Sequence, residues 1–241
     1  MRKLIIIIGL LLSITAFSQN SNKVHYSVDF GSSLSIPRIK MYETLTEFEN
    51  HPITTFRSDF GFFIDALVDY KFSNKFSLTS GFGYLYNSLK LNDKIGYQES
   101  NGRIKYSNFN VPLLFKCSLI KKIPLSFGVG IYAAYKISVK EKGTTIIDTS
   151  KLVGIDSEGN PIHGYYLGIE PVRYYNNDLT MYYKKVDFGL IAQIDYDFRL
   201  TEKLSCFVLT RFNLGLTNTF NYDNAYTWRD YNFQIGLGFK Y

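Results

Sequence analysis

Outside its first 18 residues the 241-residue chain has no apolar run that could cross a membrane as a helix, which needs about 20 consecutive apolar residues. Its mean hydropathy is −0.08. Alanine is scarce and no stretch carries a 3.6-residue apolar period, so a helical bundle is excluded. Two cysteines, Cys117 and Cys206, are too few for a disulfide scaffold. No CxxC and no Cys/His cluster is present, which removes a structural zinc site. The three histidines, His25, His51 and His163, are far apart in sequence, and there is no GxSxG. Net charge is +6 without a Lys/Arg cluster, which argues against nucleic-acid binding. No cofactor is implied.

What the chain has is aromatic residues, 17% of the total, with Tyr and Phe at 20 each. It also has alternation. In the last eleven residues, Tyr231, Phe233, Ile235, Leu237, Phe239 and Tyr241 share one parity, and Asn232, Gln234, Gly236, Gly238 and Lys240 the other. That is a strand with one apolar and one polar face.

The N-terminus reads as an export signal over residues 1–18, with residues 19–241 forming one β-domain. Arg2 and Lys3 give the charged region, Leu4 to Phe17 the apolar region, and Ala16-Phe17-Ser18 a small-x-small cleavage site. No cysteine follows it to carry a lipid anchor.

Eight alternating segments follow: about 24–36, 59–72, 76–87, 104–119, 125–139, 184–198, 204–216 and 231–241. Three connections are short (73–75, 120–124, 199–203) and four long (37–58, 88–103, 140–183, 217–230). Short turns alternating with long outer loops, with an even strand count, describe an antiparallel up-and-down transmembrane β-barrel. A soluble lipocalin-like barrel has the same strand count but turns its apolar face inward. Here the polar parity is small or charged, with Asp29, Asp65, Asp69, Lys116, Lys136, Asp187, Gln193, Asp195, Arg211 and interspersed glycines. Such residues suit a narrow interior, while the large apolar parity suits lipid. The expectation is an eight-stranded transmembrane barrel with outer-membrane lipid around it. Pro112 falls inside the fourth segment, where it implies a local bulge or a later strand start.

Asn110-Val111-Pro112-Leu113-Leu114-Phe115-Lys116, Phe127-Gly128-Val129-Gly130, Asp187-Phe188-Gly189, Leu214-Gly215-Leu216-Thr217-Asn218 and Gly236-Leu237-Gly238-Phe239 resemble the PorT-like outer-membrane β-barrel domain of Bacteroidota. The resemblance covers nearly all of the mature chain. It implies an outer-membrane location, and one branch of that family is linked to type IX secretion, so envelope or secretion proteins are implied as partners.

Two sets of residues are candidates for function. Asp65, Asp69, Lys116, Lys136, Asp187, Asp195 and Arg211 are expected to form an interior charge network, either a salt-bridged plug or a proton or substrate path. Burial of unpaired charge is costly, and eight strands leave a lumen just wide enough for side chains to fill, so the plug is favoured over a pore. Tyr165, Tyr166, Tyr174 and Tyr175, in the long 140–183 connection, suit recognition of an external partner, since tyrosine offers rigid area and a hydroxyl. Ile146, Ile147, Val153 and Ile155 suggest a hairpin there, turning at Asp156–Pro161. Tyr182 and Tyr183 are assigned to the aromatic girdle. An outer-membrane lipase, needing a nucleophile, base and acid at the rim, ranks behind both non-enzymatic readings.

Overall fold

A computed structural model of the chain describes residues 23–41, 53–120, 123–151, 153–163, 169–202, 204–221 and 226–241. The signal-like segment at 1–18 lies outside the described residues. The strands are β1 (Val24–Met41), β2 (Ile53–Lys71), β3 (Phe76–Ile95), β4 (Gln98–Ile120), β5 (Ile123–Ile147), β6 (Val153–Ile155), β7 (Pro161–His163), β8 (Val172–Asp178), β9 (Val186–Arg199), β10 (Ser205–Gly215) and β11 (Tyr226–Lys240). Eight of them form a closed antiparallel ring in the order β1-β2-β3-β4-β5-β9-β10-β11. Closure comes from β1 against β11, in register from Ser27↔Lys240 to Met41↔Tyr226. Below that ladder the Tyr26 and Tyr241 backbones exchange hydrogen bonds of 3.0 and 2.8 Å. No helix among the described residues is long and apolar enough to cross a membrane; the crossing elements are strands.

The period-two pattern sorts side chains as the alternation predicts. Phe62 is 48% exposed, Leu113 42% and Ile235 52%. Asp65, Lys116 and Gln234, on the opposite parity, are buried. From Phe76 to Tyr86 the lipid-facing side of β3 covers about 25 Å along the membrane normal, given ~3.3 Å per residue and a tilt of about 40°. That matches the height of an outer-membrane apolar band. An Ile235→Arg change should therefore cost about 2–4 kcal/mol of unfolding free energy near the midplane, measured by denaturant titration in lipid vesicles. An inward-facing Ile235 would instead show no dependence on bilayer thickness.

Interior bulk is met by glycine on neighbouring strands: Phe207 is paired with Gly238, and Phe63 and Gly236 lie on either side of Gly31. A Cβ on Gly236 would lie 2.6 Å from Cζ of the Phe63 ring, so the β11 backbone can approach only where no side chain intervenes. Phe207 packs against Gly238 in the same way. The lumen thus holds large aromatics as well as the small and charged groups the sequence implies.

The connections differ from the expected pattern. Residues 88–103 are not a loop: β3 and β4 run on to a two-residue turn at Gly96 and Tyr97, with Gly96 at φ +53°. β1, β2 and β5 likewise extend through residues read as loop, to Met41, from Ile53 and to Ile147. Above the membrane the polarity of the two faces inverts. Leu89, Ile104, Tyr106 and Val139 point inward and are buried, whereas Lys90, Arg103 and Lys142 face out. Register shifts at Ser58/Phe62 in the β2–β3 ladder and at Ser107/Asn108 in the β4–β5 ladder accompany the change. β8 then pairs with the upper part of β5, from Lys140↔Asp178 to Ile146↔Val172. β6 and β7 form a separate hairpin whose turn is capped by Asp156, which accepts from the Glu158 and Asn160 amides at 2.9 and 2.8 Å.

Pro112 sits inside β4, with neither a bulge nor a later start. The β3–β4 register is the same on both sides of it, Ser80↔Leu113 and Gly83↔Asn110, and two pairs are simply missing. Ser80 Oγ donates to the Pro112 carbonyl at 2.8 Å, which uses the acceptor that the interrupted ladder leaves.

Candidate functional site

The lumen is filled in three tiers. The middle tier is built on Arg211 of β10. Its guanidinium pairs with Asp65 of β2 and, at 3.2 Å, with Asp29 of β1. It also donates to Gln193 at 2.7 Å and to Gln234 at 3.2 Å. The Phe63 ring lies 5.5 Å from the guanidinium carbon. A planar fork with five donors can satisfy four acceptors from four strands in this way, which ties opposite walls of the ring together.

Toward the end that carries the short turns, Lys116 of β4 pairs with Asp195 of β9 at 2.8 Å and approaches Asp69 of β2 at 4.0 Å. Lys240 of β11 reaches Asp69 at 3.6 Å and Asp197 at 3.5 Å. Below them a mouth of about 380 Å³ opens between His25, Lys71, Arg199 and Glu202.

At the outer end the charge layer gives way to an apolar cap. Trp228, Leu89, Ile104, Tyr106, Val139 and Tyr183 form one buried cluster, with Phe56, Leu179 and Phe220 against it. Lys136 sits just beneath, 5.2 Å from the Tyr106 ring and 5.1 Å from the Tyr183 ring, and pairs with Asp230 at 3.3 Å. Tyr183 therefore belongs to the cap and not to the girdle; Tyr182 is 42% exposed. Asp187 accepts from Thr217 and, at 3.5 Å, from the Tyr132 hydroxyl.

All seven candidate charges are in the lumen and buried. Arg211 meets Asp65 and Asp29, and Lys136 meets Asp230. Asp230, Lys240 and Asp197 are lumen groups that the sequence reading did not place in the network. Asp230 was findable, because the alternation of the terminal strand continues backward through Asn232 and Asp230 to Trp228.

Of the four candidate tyrosines, Tyr165 and Tyr166 lie outside the described residues. Tyr174 and Tyr175 are on β8, and Tyr174 is 86% exposed. Tyr175 is paired with Gly143 of β5, and its hydroxyl lies where a Cβ on Gly102 or Gly143 would stand. Burial, and next the adjacent Glu141 charge, push the Tyr175 hydroxyl up to about 12. Burial also raises the Glu141 carboxyl above its usual range. Cys117 and Cys206 are both free thiols, three strands apart around the ring. Among the described residues no group of three His, Cys, Asp or Glu side chains is arranged to hold a metal ion.

A closed antiparallel ring with a lipid-facing apolar band and a charged, filled interior defines the transmembrane β-barrel class of outer-membrane proteins. The family described as "Outer membrane protein beta-barrel domain" matches residues 17–221, and the chain belongs to it. No protein with a curated description matches the sequence. Among solved structures the chain is similar to the outer membrane protease OmpT of Escherichia coli, with TM-score 0.50, 10% identity, 92% of this chain and 97% of that one. It is also similar to the outer membrane protein OprG of Pseudomonas aeruginosa, with TM-score 0.46, 11% identity, 91% and 96%. At these identities the likeness is one of fold alone.

Proposed function

We propose that the protein is a non-enzymatic, non-conducting outer-membrane barrel, exported with a cleaved signal peptide, whose strand extensions above the membrane recognise a partner at the cell surface. The observation that carries this reading is the contrast between a filled lumen and an exposed collar. Arg211 and the Trp228 cap occupy the lumen, whereas Tyr97, Ile155, Tyr174 and Met181 stand 40, 75, 86 and 74% exposed on the collar. Exposed apolar and aromatic groups are what a protein-binding surface uses.

A second reading rests on the PorT-like resemblance, in which the barrel assists a secretion-linked envelope complex, with contacts on the periplasmic side. Photo-crosslinkers placed at Tyr174 or Ile155, and separately at Lys75 or Thr201, distinguish the two in intact cells of the native host. Adducts from the first pair are expected, and those from a crosslinker at one collar position weaken when the other position becomes serine. Adducts confined to the second pair, with loss of protein secretion on gene deletion, overturn the surface reading in favour of the envelope complex. Planar-bilayer recordings should show no steady current; a stable open state would overturn the closed lumen.

A further inference from the structure

We propose that the outward face of β2–β5, just above the apolar band, binds the phosphate groups of a phosphorylated lipid headgroup in the outer leaflet. The observation is a row of cations that the strand registers place side by side. Arg57 is directly opposite Lys90, Lys90 opposite Arg103, and Arg103 opposite Lys142. Directly opposed residues of antiparallel strands share a face, so four like charges line up across four neighbouring strands. One pair closer to the membrane, Lys105 is opposite Lys140. Like charges in directly opposed positions are destabilising, and the strip has no built-in relief of matching size. Arg103 is 3.5 Å from Asp59, with its side chain still 55% exposed, and Asp178 lies opposite Lys140. Among the described residues no ion pair reaches Arg57, Lys90, Lys105 or Lys142. The upper row borders a shallow hollow of about 420 Å³ floored by Leu91, Asn92, Asn101 and Gly102, and Lys105 and Lys140 border a second of about 230 Å³ with Tyr84 and Tyr86.

Position selects the ligand. Immediately below the strip an aromatic ladder faces lipid: Phe62 stacks on Tyr86 at 5.3 Å, and Tyr84 meets Phe62 and Phe109, both at 6.0 Å. Aromatic rings of this kind mark the interface of a membrane barrel. With strands tilted about 40°, the Lys105–Lys140 pair stands about 5 Å above Tyr86 and the four-cation row about 10 Å. Lys and Arg side chains span such a distance with their apolar stems against the wall. The charges therefore sit at headgroup height, where a lipid phosphate can enter laterally while its acyl chains lie on Phe62, Tyr84 and Phe109. A divided pair of hollows beside one aromatic ladder suits a headgroup with more than one anionic group.

The test uses the full-length protein in detergent, incubated with bis-phosphorylated lipid A or with the same lipid after enzymatic dephosphorylation, and read by native mass spectrometry. The variant Arg57→Gln/Lys90→Gln/Lys140→Gln/Lys142→Gln keeps the Arg103–Asp59 pair. A control variant, Lys23→Gln/Lys75→Gln/Arg199→Gln, removes exposed cations at the opposite end. With four interfacial cations removed, the first variant should lose on the order of a hundred-fold or more in lipid affinity. Its thermal midpoint without lipid should rise, because the opposed like charges are relieved, the control variant should bind normally, and dephosphorylated lipid should bind like the variant. Equal binding of both lipids, or an equal loss in the control, overturns the proposal. So does full displacement of the lipid by a soluble sulfated oligosaccharide at matched charge, which would make the strip a receptor for soluble polyanions. If the first variant does not fold, Lys90→Gln and Lys142→Gln singly must each weaken binding, and unchanged affinity in both overturns it.

Discussion

Replacing Arg211 with methionine is expected to lower stability by about 3–5 kcal/mol, because it strands two carboxylates in a site from which water is excluded. Asp29 and Asp65 are 0 and 3% exposed, and Arg211 is the cation both of them contact. Gln193 and Gln234 lose a donor in the same change. The measurement is the heat-dependent shift of the folded band on electrophoresis, backed by thermal denaturation followed by circular dichroism in the same detergent. The decisive comparison is the triple variant Arg211→Met/Asp29→Asn/Asp65→Asn. With the carboxylates neutral, most of the loss should be recovered, since removing a whole buried ion cluster often costs little where removing one partner costs much. A single variant as stable as the wild type would mean that water reaches this tier. A triple variant no better than the single one would mean that the guanidinium acts by its shape and its glutamine contacts instead of its charge.

Trp228→Ala should have a comparable effect by a different route. Trp228 is 1% exposed and touches four rings, Phe56, Tyr106, Tyr183 and Phe220, at centroid distances of 5.7, 6.4, 5.6 and 5.5 Å. Truncating a core tryptophan costs about 3–5 kcal/mol through lost burial and an unfilled cavity. Thermal denaturation in detergent gives the number. Bilayer conductance should stay at background, because the Arg211 tier lies below the cap and is untouched. Current through Trp228→Ala alone would show that the cap is the principal seal; a Trp228→Ala protein as stable as the wild type would show that the cap is not a packed core.

Much of the wall was legible because lipid and water impose opposite demands on alternate residues. Phe233, Ile235 and Leu237 announce a lipid face, and Gln234 and Gly236 an interior, with no need of long-range information. The same logic explains where the reading stopped. Once strands leave the membrane, water lies outside, and the inner face must supply its own apolar core. Lys90, Asn92, Arg103 and Lys105 on one side and Leu89, Ile104 and Tyr106 on the other reverse the code, so a search for outward-facing apolar residues registers a loop. Side-chain partners were hidden for another reason. A long cation in a lumen reaches the far wall, so its partner is set by ring closure and shear. Arg211 and Asp65 are 146 residues apart, and Lys136 and Asp230 are 94 apart. Asp187, on the strand next to Arg211, accepts instead from Thr217 and Tyr132.

The seam between β1 and β11 sets the order of assembly. Fifteen residue pairs hold it, and they join the two ends of the domain. Until the fifteen residues of β11 are in place, β1 and β10 each present a bare row of amides and carbonyls that hydrocarbon cannot solvate. The ring can consequently close only once β11 is in place, and a premature stop anywhere before Tyr226 is expected to leave no smaller closed barrel.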